Sequence, residues 1–229
     1  MMTIDTDAAA LLQLLQLVSP ALPVGAFSYS EGLETLTQSD LLQTPAALED
    51  WLLQELRYGA IRLEAAVVGR VHRAFLEDDL AQLAEWNHWL SAVREGAEIR
   101  QQSWQMGRSL VRLLNALYPE LQPALTACEQ PCNFAVAFGL AAAHCRIPVE
   151  LSLLGYLQSW ATNLITAAVK LVPLGQTEGQ VTLLRLQDEF AIAADTILSL
   201  SDDRLFTSGW GAALASMQHE TLYSRLFRS

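Results

Sequence analysis

The sequence predicts an all-α fold, a single-domain helical bundle of about eight to ten helices that spans residues 1–229. Apolar residues recur at three- and four-residue steps through most of the chain, which is the spacing of one face of an α-helix. Alternating apolar and polar residues between turn dipeptides, the pattern of a half-buried strand, are nearly absent. With 229 residues and a 52% hydrophobic composition, one domain can bury a large core without a metal or a disulfide.

The first clear helix is predicted to begin at Pro45 and to continue as one long element to Val71. Thr44 suits the N-cap, and Pro45 suits the first helical turn, where its missing N–H is not needed. The apolar residues that share one face of this helix are Leu48, Leu52, Leu56, Gly59, Leu63, Val67 and Val71.

Four further segments have helical periodicity. They cover residues 78–96, residues 103–118 up to Pro119, the stretch between Pro148 and Pro173, and residues 181–200. In the second of these segments, Gly107 has no side chain, so a neighbouring element is expected to approach the helix closely at that point.

Residues 211–229 are predicted to form a C-terminal interaction tail. The segment is weakly amphipathic, and it ends on Leu226 and Phe227, two large apolar residues close to the end of the sequence. Its loosely phased apolar residues are Leu214, Met217, Leu222 and Leu226. Chain ends tend to fray unless something holds them, so a partner surface is expected to hold this one.

The charge balance argues against two classes of ligand. Fourteen basic residues against 25 acidic ones give a net charge of −11, which disfavours nucleic acid and anionic membrane surfaces.

Met1–Asp7 carries acids where a secretory signal would carry basic residues. The longest apolar run, Phe134–Ala143, is too short to cross a bilayer, and the three cysteines are an odd number. A reduced, cytoplasmic protein is expected.

Catalytic motifs are absent from the sequence. There is no HExxH, no CxxC pair, no GxSxG turn and no phosphate-binding loop, and Lys170 is the only lysine. We therefore predict no catalytic residue and no cofactor. A helical enzyme with a site near Tyr29 and Glu31 remains an alternative, which a deep, water-excluding pocket there would favour.

The best candidate for a metal site combines Cys128 and Cys132 with the pair His144-Cys145. Thiolates and imidazole suit zinc or nickel. Buried cysteines are also among the commonest core residues, and Pro131 interrupts the spacing. The core interpretation is favoured and no metal site is predicted, although a metallochaperone that binds nickel through these residues remains the alternative function.

Four segments carry more polar and aromatic residues than core packing explains. In the first, two prolines and Gly25 form a turn before a cluster of aromatic and hydroxyl residues enters a helix. In the third, a helix stops at Pro173, turns through Gly175 and restarts. The four segments are residues 19–34 (SPALPVGAFSYSEGLE), 94–108, 167–180 (ending in VPLGQTEGQ) and 219–229 (ending in SRLFRS).

These motifs, in this order, resemble the signature of the UreF family of urease accessory proteins. The resemblance extends from about residue 11 to residue 229. It implies an all-α homodimer that has no active site of its own. It further implies an adaptor that binds UreD (also called UreH) and recruits the GTPase UreG, delivering nickel to apo-urease, with a modulating effect on the GTPase activity of UreG.

The same resemblance implies two sets of partner-binding residues. For UreD they are Tyr223, Ser224, Arg225, Leu226, Phe227 and Arg228, and for UreG they are Tyr29, Ser30, Glu31, Lys170 and Gln176. Two hypotheses follow. Deleting residues 224–229 would remove UreD binding and leave the fold almost unchanged, because Leu226 and Phe227 would form an exposed apolar tip. Replacing Lys170 with alanine would weaken UreG capture and leave UreD binding intact.

Overall fold

Helices make up the fold of this computed structural model, which describes residues 8–94 and 96–229. Met1–Asp7 and Glu95, on which parts of the sequence-based expectations rest, lie outside the described residues. Within them there are twelve α-helices and no β-strand. The helices are α1 (Ala8–Leu17), α2 (Leu33–Gln38), α3 (Pro45–Tyr58), α4 (Ile61–Leu76), α5 (Leu80–Val93), α6 (Ala97–Leu117), α7 (Gln122–Ala127), α8 (Phe134–His144), α9 (Val149–Leu171), α10 (Gln176–Arg185), α11 (Gln187–Ser199) and α12 (Trp210–His219).

The predicted all-α class is confirmed, with slightly more helices than the eight to ten expected. Short 3-10 turns at Ala26–Ser28, Pro119–Leu121 and Asp202–Arg204 connect some of the helices. No helix in the described part of the chain is both long and apolar enough to cross a membrane.

Helix α8 lies at the centre of the core. Its residues 135–143 are all buried, and it packs against α4, α6 and α9. Small side chains allow this close packing: a Cβ added at Gly139 would lie 2.8 Å from the carbonyl oxygen of Val68 on α4. The apolar run Phe134–Ala143 is therefore the central helix of the bundle.

The long helix predicted from Pro45 to Val71 is wrong as a single element. The N-cap at Thr44 is confirmed, because its side chain accepts a hydrogen bond from the Ala47 N–H at 3.2 Å. The helix ends at Tyr58, since Gly59 has extended backbone (φ −85°, ψ 177°), and α4 begins at Ile61. The Thr207 hydroxyl and the Ser208 N–H donate to the freed Tyr58 carbonyl at 2.8 and 3.0 Å. A distant loop thus provides hydrogen bonds that a continuing helix would have provided.

The helix predicted over residues 181–200 also divides into two. Helix α10 begins earlier, at Gln176, where the Gly175 N–H donates to the Glu178 carboxylate at 3.0 Å. It ends before Leu186, which is completely buried and separates α10 from α11. The helix between Pro148 and Pro173 forms as expected, and α6 begins six residues before its predicted start at Ser103.

Helices α2, α6, α9 and α12 determine the position of the predicted partner-binding residues. The longest helix, α9, carries Lys170 in its last turn. Helix α12 packs against α2 and α6, which brings the C-terminal segment back to the motif at residues 19–34. The first and the last of the four motif segments therefore meet in space.

Candidate partner-binding site

The motif at residues 19–34 forms an irregular connection between α1 and α2. Gly25, Glu31 and Gly32 have left-handed backbone, with φ of 78°, 52° and 86°. A Cβ added at Gly32 would lie 3.0 Å from both the Cβ of Ala215 and the N of Ser216. Both the backbone conformation and the contact with α12 thus require glycine at residue 32.

Tyr29 and Ser30 are buried, so they lie beneath the predicted UreG-binding surface. Tyr29 is 5% exposed and its hydroxyl donates to Oε1 of Gln105 at 3.0 Å. Burial raises the pKa of Tyr29, and a hydrogen bond with Arg228 opposes that rise. Ser30 is completely buried. Neither side chain is available for a direct contact with a partner in this conformation.

The Glu31 carboxylate connects two helices inside the chain. It accepts hydrogen bonds from Nε2 of Gln102 on α6 at 2.7 Å and from Nε1 of Trp160 on α9 at 2.9 Å. The half-buried side chain is therefore directed toward the interior. Glu31 holds α6 and α9 at the position where the motif lies on them.

The C-terminal segment folds back onto α2 through its backbone. The Glu34 carboxylate accepts hydrogen bonds from the N–H groups of Leu226 and Phe227 at 2.7 and 3.0 Å. The Ser30 N–H and hydroxyl both donate to the Ser229 carbonyl, at 2.8 and 2.6 Å. The Arg228 N–H also donates to the Ser28 carbonyl at 2.9 Å, so five hydrogen bonds attach the tail to the motif of residues 19–34.

A buried charged cluster strengthens this attachment. His219 is completely buried between two carboxylates, with Nε2 3.2 Å from Glu34 and Nδ1 2.7 Å from Glu98. Arg225 donates to the other oxygen of Glu98 at 2.6 Å. We call Ser30, Glu34, Glu98, His219 and Arg225 the tail-attachment network. Sequence reasoning missed Glu34, Glu98 and His219, because partners more than a hundred residues apart leave no local pattern.

The expectation of an exposed apolar tip is correct for Leu226 and wrong for Phe227. Leu226 is 65% exposed and Tyr223 is fully exposed, whereas Phe227 is only 6% exposed. The Phe227 ring lies under Lys170, whose Nζ is 5.6 Å from the ring centroid. A phenyl ring buries a large apolar area, and this chain provides its own pocket for the ring.

Lys170 and the tail therefore form one continuous surface. Lys170 is exposed in the last turn of α9, and Gln176 is exposed at the start of α10. We call Lys170, Tyr223 and Leu226 the tail face. The residues assigned separately to UreD and UreG meet at the Lys170–Phe227 contact.

Helix α12 carries an apolar stripe that the sequence analysis only partly recognised. Trp210, Leu214 and Met217 are 64%, 56% and 42% exposed, and they share one face at steps of four and three residues. Phe206, just before the helix, is 72% exposed. The apolar residues predicted to share one face of this segment included Leu214 and Met217 but not Trp210. Exposed apolar residues in a continuous stripe are typical of a protein–protein contact.

Comparison with known proteins agrees with the motif assignment. The sequence model of the UreF family matches residues 42–187. The chain belongs to the UreF family. It is 57% identical to the urease accessory protein UreF of Nostoc sp. over 95% of both chains. It is 54% identical to that of Microcystis aeruginosa over 97% of this chain and 99% of the relative, and 43% identical to that of Chromohalobacter salexigens over 97% and 96%.

In this UreF chain, the residues considered for a metal site fall into separate environments. Cys128 and Cys132 lie beside Asn87, which donates to the Cys128 carbonyl at 2.8 Å. His144 instead pairs with Glu120 at 3.1 Å. No group of three or more metal-ligating side chains occurs among residues 8–94 and 96–229.

The cysteine thiols of this UreF chain have the properties of core residues. All three are free and buried. A hydrogen bond with Cys128 and burial raise the pKa of Cys132 well above its usual range, and burial raises the pKa of Cys145. A raised thiol pKa disfavours the thiolate, which is the form that binds metal. The core interpretation therefore gains support over the metallochaperone.

Two small cavities lie beside the motif at residues 19–34 of this UreF chain. The first, about 40 Å³, is lined by Tyr29, Glu31 and Trp160 among others, and the second, about 60 Å³, extends toward α12. An ion pair between Glu64 and the buried Arg94 borders both. Because substrate pockets are usually of several hundred Å³, these cavities have room for a few waters at most. The alternative of an enzyme site near Tyr29 and Glu31 gains no support.

Proposed function

We propose that this protein is a urease maturation factor that acts as an adaptor. It binds UreD (UreH) through the C-terminal tail and the adjacent stripe of α12. The pair then recruits the GTPase UreG, modulates its GTPase activity and delivers nickel to apo-urease. Membership of the UreF family supports the accessory role, since the relatives are named urease accessory proteins.

The observation that carries the adaptor proposal is the composition of the tail face. Tyr223 and Leu226 project from a segment whose backbone is fixed by Glu34 and Ser30. Exposed aromatic and aliphatic groups on a fixed backbone are typical of residues that dominate binding energy. The stripe on α12 extends this surface toward Phe206 and provides further apolar area.

The contact with UreG is assigned to the part of this surface that contains Lys170. Lys170 and Gln176 are exposed and provide an ammonium group and an amide, whereas Tyr29, Ser30 and Glu31 hold the surface from beneath. A homodimer in the cytoplasm, as the family resemblance implies, remains part of the proposal. Light scattering of the purified chain measures its oligomeric state.

The experiment that tests the proposed function measures binding of this protein to the UreD of the same organism. Leu226→Ala and Tyr223→Ala should each weaken binding about tenfold or more, because each removes a large exposed apolar group from the interface. Leu76→Ala is the matched control: Leu76 is 64% exposed at the end of α4 and belongs neither to the tail nor to the stripe on α12.

Equal binding by the tail variants and the control would contradict the proposed role of the tail. Failure of the unmodified chain to bind a folded UreD would contradict the adaptor function itself. Addition of UreG to the binary complex then tests the second step, in which a ternary complex that requires UreD is the expected product.

A further inference from the structure

An open groove of about 490 Å³ lies between the C-terminal half of α6 and α7, and we call it the α6–α7 groove. Its apolar lining includes Leu125, which is 3% exposed, and the partly buried Val111. A cleft of several hundred Å³ has the usual size of a binding site. Four further lining residues are exposed and carry an uncharged amide or hydroxyl group: Asn115, Gln122, Thr126 and Gln130.

The four polar side chains of the α6–α7 groove are free to bind a ligand. Within the part of the chain that the structure describes, none of them forms a side-chain hydrogen bond. By contrast, the amides of Gln43, Gln82 and Gln102 each donate to an oxygen of this chain. An extended peptide presents a row of backbone N–H and C=O groups, and amide side chains both donate and accept hydrogen bonds. The polar lining therefore suits a peptide backbone.

Two arginines of α6 lie beside the groove without a carboxylate partner. Arg108 and Arg112 are exposed, and each lies three residues before a lining residue, Val111 or Asn115. Residues three and four apart are neighbours on a helix surface, so both guanidinium groups border the groove. Among residues 8–94 and 96–229, neither arginine forms an ion pair. Their positive charges are thus available to a partner.

The acidic residues nearest to the groove along the chain do not cancel these charges. No acidic residue occurs between Glu98 and Glu120, although the chain has 25 acids and a net charge of −11. Glu120 pairs with His144 at 3.1 Å. Glu129, just before the lining residue Gln130, pairs with His88 at 3.0 Å. A positive edge on an acidic protein favours an acidic partner segment.

The groove is separate from the surface formed by the tail. Glu98, at the start of α6, contacts the tail through Arg225. Because an α-helix rises about 1.5 Å per residue, Asn115 lies roughly 25 Å along α6 from Glu98. A partner in the groove therefore leaves the tail accessible.

We propose that the α6–α7 groove is a further protein-binding site, and that its occupant is an extended, acidic peptide segment of a partner protein. The amides of Asn115 and Gln122 bind the backbone of the segment, and Leu125 contacts one of its apolar side chains. Arg108 and Arg112 pair with its carboxylates. A small-molecule site would instead enclose most of its ligand and be lined mainly by apolar and aromatic groups.

The first test selects random twelve-residue peptides, displayed on phage, for binding to the purified full-length chain. The enriched peptides should be rich in Asp and Glu, and fluorescence anisotropy of labelled synthetic copies measures their affinity. The assay contains neither UreD nor UreG, so its outcome does not depend on the proposed function. Failure to enrich any peptide, or enrichment of peptides without acidic residues, would overturn the proposal.

The second test concerns the two arginines. Arg108→Gln/Arg112→Gln should weaken binding of the selected peptides about tenfold or more, because both charge-assisted contacts are lost. Arg73→Gln/Arg204→Gln is the matched control, since it removes the same charge from exposed positions outside the groove. Added salt should also weaken peptide binding by the unmodified chain. Equal peptide affinities of the two double variants would overturn the proposal.

The third test concerns the lining of the groove. Asn115→Ala/Gln122→Ala should weaken peptide binding about tenfold or more, because two side-chain partners of the peptide backbone are lost. Both positions are exposed and helical, so alanine preserves the fold, as circular dichroism should verify. Gln180→Ala/Gln187→Ala, at exposed amides of α10 and α11, should bind the peptides like the unmodified chain. If loss of the groove amides left the peptide affinity unchanged, the peptides would bind elsewhere and the proposal would fail.

Discussion

Lys170 is the residue at which the two predicted surfaces meet, and its ring contact changes what its substitution should do. A cation–π contact at an exposed site contributes about 0.5–1 kcal/mol. Lys170→Ala should therefore weaken UreD binding only a few-fold, through a less firmly held Phe227. Loss of the charged group should weaken UreG capture about tenfold or more.

Surface plasmon resonance with UreD, and then with the UreD complex and UreG, measures the two effects of Lys170→Ala separately. Lys170→Arg should retain the ring contact, and Arg73→Ala, an exposed cation on α4, is the control for net charge. If Lys170→Ala weakened UreD binding more than UreG capture, Lys170 would act mainly through the tail.

Glu55 is the carboxyl group whose titration should affect folding near neutral pH. It is 7% exposed at the end of α3. Burial, with a smaller effect of Glu31, raises the pKa of Glu55 from 4.5 to about 7, against a backbone hydrogen bond from Ala60. The unfolded chain ionises Glu55 at lower pH than the folded chain does, so the full contribution to stability is present below about pH 4.5.

That contribution should be lost as the pH rises through about 7. The shift corresponds to about 3 kcal/mol in the free energy of unfolding. Glu55→Gln should remove this pH dependence, so the variant gains stability relative to the unmodified chain between pH 5 and pH 8. Denaturant unfolding at pH 5 and at pH 8 measures the difference in the free energy of unfolding. Glu77→Gln, at an exposed residue, is the control. Parallel curves for Glu55→Gln and the unmodified chain would contradict the assigned pKa.

At the scale of elements, Gly107 decides how closely α6 approaches the segment before α8. A Cβ at this position would lie 2.0 Å from the Cys132 carbonyl oxygen. The close approach expected from the sequence is therefore confirmed. Gly107→Ala should lower the free energy of unfolding by about 2–3 kcal/mol, because backbone must move to admit the methyl group.

Thermal unfolding followed by circular dichroism measures this effect. Gly211→Ala is the matched control, because Gly211 lies inside α12 with nothing within 4 Å of an added Cβ. Alanine there should stabilise the helix by about 0.5–1 kcal/mol. Equal melting temperatures for the two variants would show that α6 can shift without cost.

The C-terminal segment is an element of the fold as well as a binding segment. The sequence-based hypothesis expected deletion of residues 224–229 to leave melting almost unchanged. The structure predicts otherwise, because the deletion exposes the Phe227 pocket and removes four hydrogen bonds from Glu34 and Ser30. We expect a loss of about 2–4 kcal/mol in the free energy of unfolding, with helicity largely retained.

Full-length Leu226→Ala is the control for this deletion. It should melt like the unmodified chain, because Leu226 is exposed and its N–H still reaches Glu34. Scanning calorimetry of the three proteins measures the difference. Unchanged melting of the deleted chain would mean that the tail contributes to binding alone, as the sequence first indicated.

At the scale of the whole molecule, the tail carries cations of an acidic chain to one part of its surface. The net charge is −11, yet Lys170 lies over the Phe227 ring and Arg228 lies beside Tyr29, whereas Arg225 is paired with Glu98. A basic region on an acidic protein directs association toward an acidic partner surface and away from other orientations. The position of this region agrees with the proposed adaptor surface.

The sequence by itself determined the helical class and the family. Periodicity and proline positions predicted α9 and the core of α6, and the three motifs identified the UreF family. These signals are local, since each depends on residues within a few turns of one another. The same locality explains why residues 45–71 were wrongly predicted as one helix, because α3 ends where the distant Thr207 and Ser208 donate hydrogen bonds to the Tyr58 carbonyl.

Only the tertiary structure decided which of the motif residues face outward. Nothing in the sequence near Phe227 distinguishes it from Leu226, and the difference comes from the hydrogen bonds that Ser28, Ser30 and Glu34, almost two hundred residues earlier, make with the tail. Likewise, His219 gains its role from Glu34 and Glu98 together. A long-range contact depends on how helices pack, and the spacing of residues along the chain does not contain that information.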